Sequence, residues 1–176
     1  MEDEILDEEF SIMYQEAERM KVLDSTTFLR PVKNLKLKKP VMIDVGQTVA
    51  EALSLMQTKQ FGCLLVTRGS ALAGILTERD IVAKALGEGR DLARIPVTEI
   101  MTPDPVTLQP DDSVAFVMNA MHVGGYRHVP IVDERNQPLA VVSVKDIIAF
   151  IVEGFPEEIL NLPPKPIRKA KRQDGG

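Results

Sequence analysis

Two short stretches hold the side chains of this sequence best suited to chemistry: Thr77-Glu78-Arg79-Asp80 and Ser143-Val144-Lys145-Asp146. Each sets a hydroxyl three residues ahead of a carboxylate, with a cation, Arg79 or Lys145, just before the acid. Each follows an apolar run and precedes apolar residues at helical spacing, Ile81, Val82 and Ala85 in the first copy. The hydroxyl therefore falls where a strand runs into a helix. The first turn of a helix has unpaired N–H groups and a partial positive charge, and both suit a phosphate. Thr77 or Ser143 can donate to a phosphate oxygen. An ionised Asp80 or Asp146 can accept two hydrogen bonds from a ribose diol. Arg79 and Lys145 add positive charge. The same spacing also makes a helix capping box, which needs no ligand. Both readings stand on the residues alone.

The second stretch repeats the first because the chain repeats. Pro40-Val41 recurs as Pro105-Val106, and Thr48-Val49 as Ser113-Val114, each 65 residues later. Met56 and Met121, Phe61 and Tyr126, and Val66 and Ile131 keep that offset. Thr77 and Ser143, like Asp80 and Asp146, are 66 apart, so one residue is added in the loop Asp133-Glu134-Arg135-Asn136-Gln137. Each unit reads β-α-β-β-α. An extended piece (41–45; 106–108) leads to a helix over 49–59 or 114–123, with Thr48 or Ser113 as N-cap. Strands follow over 63–67 and 72–76, and over 128–132 and 139–142. A second helix spans 78–86 or 144–152. Each unit is near 60 residues, too small to bury much surface alone. Packing the two about a pseudo-two-fold axis solves this and leaves clefts between them. The fold class is therefore α/β (α+β), two repeats in tandem.

The predicted organisation is an N-terminal helix and linker over 1–29, repeat 1 over 30–95, repeat 2 over 96–155, and a Pro-rich basic tail over 156–176. The helix is amphipathic, from about 5 to 21, and begins in an acidic cluster. Residues 25–39 and 92–101 read as linkers. A net charge of −5 argues against non-specific nucleic-acid binding by the body of the chain. The basic tail, with Lys165, Arg168, Lys169, Lys171 and Arg172, reads as a solvated end. One cysteine, Cys63, excludes an internal disulfide and fits a reducing compartment. No run of 18 apolar residues offers a membrane span. A cytoplasmic protein is the simplest reading. His122 and His128 have no cysteine or carboxylate cluster around them, so no metal site is expected. No constellation of nucleophile, base and oxyanion donors is present.

The duplicated pattern resembles a tandem pair of cystathionine β-synthase (CBS) domains, a Bateman module, over about residues 30–155. The signature is G-h-h-T/S-x-x-D, where h is apolar. Gly74-Ile75-Leu76-Thr77-Glu78-Arg79-Asp80 matches it fully, while the second copy has Ala140 in place of the glycine. The Ile100-Met101-Thr102 linker and the His128-Val129-Pro130-Ile131-Val132-Asp133 stretch also look typical.

The resemblance implies a regulatory module, not an enzyme, that binds an adenosine-containing ligand. AMP, ADP and ATP are the first candidates, with S-adenosylmethionine and NAD behind them, and no cofactor is required. Asp80 and Asp146 would hold ribose hydroxyls, with Thr77 and Ser143 near phosphates. Tyr126, Arg127 and His128 would line the ligand in repeat 2, whose counterparts Gly62 and Cys63 carry no charge. The two sites should therefore differ. The resemblance further implies a homodimer built through helices, and a regulated protein supplied by another chain. Two other readings remain open: an interaction module whose T-x-x-D motifs are only caps, and a nucleic-acid binder acting through the basic tail.

Overall fold

The structure, a computed structural model, describes residues 25–86 and 90–154. The expected N-terminal helix, the glycine-rich Gly87-Glu88-Gly89 turn and the basic tail lie outside the described residues. A helical turn, α1 (Ser25–Phe28), precedes repeat 1, which contains β1 (Met42–Asp44), α2 (Val49–Lys59), β2 (Cys63–Arg68), β3 (Ala71–Thr77) and α3 (Glu78–Lys84). Then come β4 (Thr102–Pro103), α4 (Val114–Gly124), β5 (His128–Val132), β6 (Pro138–Ser143) and α5 (Val144–Gly154). This is the mixed α+β order that the repeat predicts.

The strands form a four-stranded sheet, β1-β2-β3-β4, and a two-stranded sheet, β5-β6. β1 runs parallel to β2, and the remaining pairs are antiparallel. The register shifts between Val66 and Thr67 in one sheet and between Ile131 and Val132 in the other, 65 residues apart. The expected extended piece at 106–108 narrows to a single parallel bridge, Leu108 with Ile131. Its counterpart in repeat 1 is the full strand β1. Pro110 stands where the Val45 N–H donates to Thr67 O in repeat 1, and proline has no N–H to give to a ladder.

α2 starts on a full capping box, Thr48 with Glu51. Ser113 occupies the same place before α4, but its side chain makes no capping bond. Phe116 stands where Glu51 stands, so no acid closes the box. The Phe116 N–H donates instead to the Ser113 carbonyl at 3.0 Å, and the Val114 N–H donates to the Arg30 carbonyl at 3.0 Å.

That last contact belongs to a reciprocal exchange. Val32 N–H donates to Asp112 O at 2.7 Å, and Pro31 bridges to Ser113. In repeat 1, Val49 N–H donates to Ile95 O and Val97 N–H to Gln47 O, both at 2.9 Å, and Thr48 bridges to Pro96. The segment leading into each repeat thus docks on the other repeat's first helix. β4 likewise pairs with β3 of repeat 1, while Lys38 bridges to Val141 in β6. The stretches read as linkers are structural: Val32, Leu35, Ile95, Val97 and Ile100 are all buried. Proline and apolar residues recur in them at the repeat offset, Pro31-Val32 with Pro96-Val97 and Leu35 with Ile100.

β2 is buried on both faces. Leu64 and Val66 pack with Val49, Ala52, Met56 and Ile81 under the helices, together with Ile95, Val97 and Ile100. Cys63 and Leu65 face the other way, with Leu72, Ile75 and, from repeat 2, Val132 and Val141. The lengthened loop of repeat 2 closes this side. Asn136, at a positive φ of 59°, accepts from Leu72 N–H at 2.8 Å and donates through Nδ2 to Leu72 O at 3.1 Å.

Candidate functional site

Each T/S-x-x-D motif sits where a sheet's last strand turns into a helix. In repeat 1 the Asp80 Oδ2 accepts from the Thr77 hydroxyl at 2.6 Å and from Thr77 N–H at 3.0 Å, and Asp80 N–H returns a bond to Thr77 Oγ1 at 3.4 Å. In repeat 2 the Asp146 Oδ2 accepts from the Ser143 hydroxyl at 2.6 Å and from Ser143 N–H at 2.7 Å, and Asp146 N–H donates to Ser143 Oγ at 3.3 Å. Both motifs are therefore working capping boxes, as the ligand-free reading predicts. The hydroxyl and one carboxylate oxygen are spent on the cap in both copies. A ligand would meet the second carboxylate oxygen.

The second oxygens differ. Asp80 Oδ1 is held by Lys84 Nζ at 2.7 Å, four residues on along α3. Lys84 Nζ also donates to Ile100 O at 2.8 Å. Asp146 is partly buried, and its Oδ1 has no hydrogen-bond or ion-pair partner among the described residues. The residue four positions beyond it is Phe150. Burial by itself raises the Asp80 pKa, but the bonds from Lys84 and Thr77 together outweigh it and hold the carboxyl below its ordinary value.

The strand entry before each motif lies alongside it. His128 is paired with Ser143 in the β5–β6 register, and Val144 N–H donates to Arg127 O at 3.0 Å. In repeat 1, Cys63 is paired with Thr77, and Glu78 N–H donates to Gly62 O at 3.1 Å. The fold thus brings Arg127, His128, Ser143, Lys145 and Asp146 to one sheet end, and Thr77, Arg79 and Asp80 to the equivalent end of the other sheet. Arg79, Arg127 and Lys145 are exposed and make no ion pair among the described residues. Half-buried His128 lies among four charges. Burial lowers its pKa most; Arg127 and Lys145 push the same way, while Asp146 and Glu78 oppose them.

Tyr126 is 39% exposed and lies across the end of α4. A Cβ added to Gly124 would fall 1.8 Å from its ring, so only glycine leaves the ring room there. Cys63 is a core thiol, which burial pushes up to about 12.

Glu78, Gly62 and Gly74 shape repeat 1 in ways that residue types and spacing do not show. Glu78 folds its carboxylate over Gly62: a Cβ there would stand 3.0 Å from Glu78 Oε2. Gly62 corresponds to Arg127, and Glu78 to Val144. A cation in repeat 2 is thus matched by an anion lying over a bare glycine in repeat 1. The signature glycine, Gly74, is needed for packing, since a Cβ would meet Met101 Sδ at 2.5 Å and Thr102 O at 2.9 Å. This close approach brings the 100–103 segment, and with it the Ile100 carbonyl, up to Lys84. The Asp80–Lys84 spacing is legible as an i, i+4 pair. The Ile100 contact has no local signal.

The CBS domain family model matches the chain twice, over residues 32–87 and 97–153. The chain belongs to the CBS domain family, as a tandem pair. It is 34% identical over 116 residues to the CBS domain-containing protein CBSCBSPB5 of Arabidopsis thaliana, covering 65% of this chain and 21% of that protein. It is 32% identical over 116 residues to the CBS domain-containing protein YhcV of Bacillus subtilis, covering 66% of this chain and 81% of the relative. The chain therefore spans about a fifth of the Arabidopsis protein and most of the bacterial one. Among solved structures it is similar to the CBS domain pair of MJ0100 in complex with 5'-methylthioadenosine and S-adenosyl-L-methionine. The TM-score is 0.62 and the identity 28%, covering 69% of this chain and 98% of that one. The CBS domain protein PAE2072 from Pyrobaculum aerophilum, complexed with AMP, shares the fold with a TM-score of 0.64 at 23% identity, covering 70% and 96%. No helix among the described residues is long and apolar enough to cross a membrane.

Proposed function

We propose that this chain is a non-catalytic regulatory module that binds an adenosine-containing nucleotide, AMP, ADP or ATP, beside the Ser143–Asp146 motif. One observation carries the reading. Among the described residues Asp146 keeps a partner-free carboxylate oxygen, at a helix start that also presents Lys145, Arg127 and His128. A carboxylate oxygen facing outward suits a ribose hydroxyl, and the cations suit a phosphate. The MJ0100 pair, at 28% identity, was solved with two ligands that each contain adenosine, which supports the ligand class. In this reading ligand binding changes the population of conformations offered to a regulated protein.

The module acts as a homodimer in the cytoplasm. Phe116 and Val123, seven residues apart on α4, are 60% and 76% exposed, and Val82 on α3 is 61% exposed. Apolar helix faces of this kind suit a second copy.

Thermal unfolding with and without AMP, ADP, ATP, S-adenosylmethionine or NAD tests the reading. A ligand at about 100 times its Kd adds about 2.7 kcal/mol. In a chain of this size that raises Tm by roughly 5–11 °C. Asp146→Asn should erase the shift while the free protein still melts cooperatively. No shift with any of the five ligands overturns the proposal in favour of an interaction module.

A further inference from the structure

We infer that repeat 1 is closed to the ligand by the chain's own side chains, so that each copy binds one nucleotide, in repeat 2, with Lys84 and Glu78 as the residues that set this stoichiometry. The inference rests on the proposed nucleotide reading and deepens it.

Four features of repeat 1 support it. Lys84 Nζ fills the Asp80 Oδ1 position at 2.7 Å, where an incoming hydroxyl would have to bind. The ammonium is also tied to Ile100 O at 2.8 Å, so releasing Asp80 breaks or rearranges two contacts. The Ile100 carbonyl is itself held in place: Met101 and Thr102 press on Gly74 more closely than any other residue type would allow. The second closure is electrostatic. The Glu78 carboxylate covers Gly62, on the strand entry where repeat 2 carries Arg127. An anionic ligand arriving at repeat 1 meets a carboxylate and finds the aspartate already paired. At repeat 2 it meets Arg127, Lys145 and an aspartate oxygen with no partner among the described residues, with Glu78 close enough to act on His128 as well. The strand entries still differ, an arginine in repeat 2 and a glycine under a carboxylate in repeat 1, and that difference favours an anion at repeat 2.

The replacements that would open repeat 1 are read from repeat 2. Val144 stands at the Glu78 position and an uncharged residue at the Lys84 position. Isothermal titration with AMP is the experiment, on the full chain. The wild type should bind one AMP per chain. Asp146→Asn should weaken that binding at least tenfold, and Asp80→Asn should leave it within about twofold. The double variant Lys84→Met with Glu78→Val should bind two AMP per chain. Adding Asp146→Asn to that double variant should leave one, now in repeat 1. Lys84→Gln, which can still donate to Ile100 O but carries no charge, serves in place of Lys84→Met if the latter does not fold.

Two AMP per wild-type chain, loss of binding in Asp80→Asn rather than Asp146→Asn, or a single site in the opened variant each overturns the inference. A ligand-free readout separates its failure from that of the nucleotide reading. The Asp80 carboxyl, followed by carbon NMR against pH, should titrate higher in Lys84→Met than in the wild type. If it does, and AMP binds to no variant, the pairing is real, the nucleotide reading is wrong, and the stoichiometry falls with it. If the titration does not move, Lys84 does not occupy Asp80 and the closure is wrong whatever binds.

Discussion

Repeat 1 and repeat 2 are built on the same strand and helix order, with matched register shifts and the same hydroxyl–carboxylate cap, yet they present different surfaces at the same corner. In repeat 1 the corner is filled. Lys84 takes the outward oxygen of Asp80, Glu78 lies over Gly62, and the 100–103 segment packs on Gly74. In repeat 2 Asp146 keeps an oxygen without a partner among the described residues, and Arg127 and Lys145 are exposed. The compensating difference is structural. Repeat 1 has the larger sheet, while in repeat 2 the two paired strands are flanked by single bridges, Leu108 with Ile131 and Lys38 with Val141. The better-braced repeat has its aspartate tied to Lys84, and the sparer repeat leaves one aspartate oxygen without a partner among the described residues. Duplication lets one copy take on structure while the other keeps a side chain available.

The comparison can be strained hardest through the exchanged segments. Ile100 is 1% exposed in the core of repeat 1 although it belongs to the segment that leads into repeat 2. Ile100→Ala should cost about 2–5 kcal/mol, read by denaturant or thermal unfolding. Leu35→Ala, its counterpart in the other segment, should also destabilise the fold, if the exchange is reciprocal. A wild-type melting curve for both would mean that the segments are only connections.

A smaller effect separates the two aspartates by pH. The folded pKa of Asp80 is depressed below that of the unfolded chain, near 4. Its contribution to stability is therefore present above about pH 4 and is lost as pH falls through the folded value. Lys84→Met should raise the folded value towards the ordinary one and remove part of that contribution. Lys84 is substantially exposed, so the loss should be about 1 kcal/mol at most near neutral pH. Acid unfolding of the variant should then begin at a higher pH than in the wild type. Unchanged acid unfolding would remove the ion pair from the comparison.

The smallest effect sharpens it. α2 ends on Gln60 at a φ of 54°, and α4 ends on Gly125 at 69°. The left-handed region costs a non-glycine residue about 1–2 kcal/mol, offset in part by the extra freedom that glycine has in the unfolded chain. Gln60→Gly should therefore stabilise the fold by roughly 0.5 kcal/mol, visible as a small rise in Tm. A loss would mean that the Gln60 side chain makes a contribution that outweighs the backbone cost.

Much of the fold was readable because its signals are local. The helix over 49–59 begins at Thr48 and its capping box, and strand 128–132 is an apolar run bounded by turn residues. Ser113 misled because its box lacks the acid, with Phe116 where repeat 1 has Glu51, and the Phe116 N–H turns to the Ser113 carbonyl rather than to its hydroxyl. The extended piece at 106–108 shrank where Pro110 has no N–H to give, whereas Val45 at the same place in repeat 1 donates to Thr67 O. The segments at 25–39 and 92–101 read as connections because they have neither helical nor strand periodicity. Their buried apolar residues serve irregular backbone, and only the shared 65-residue offset betrays them.

By itself the sequence determined the duplication, the order of the main elements, the Thr48 cap and the pairing of Thr77 with Asp80 and of Ser143 with Asp146. All of these follow from residue types a few positions apart, whose contacts are made within one turn or one strand. What anchors Lys84 on Asp80 was decided only by tertiary structure. Lys84 lies within reach of Asp80 along the helix, but the Ile100 carbonyl that holds it arrives from 16 residues away, on a segment whose approach depends on a bare glycine in a neighbouring strand. Three-dimensional packing supplies that partner, and no pattern along the chain encodes its position.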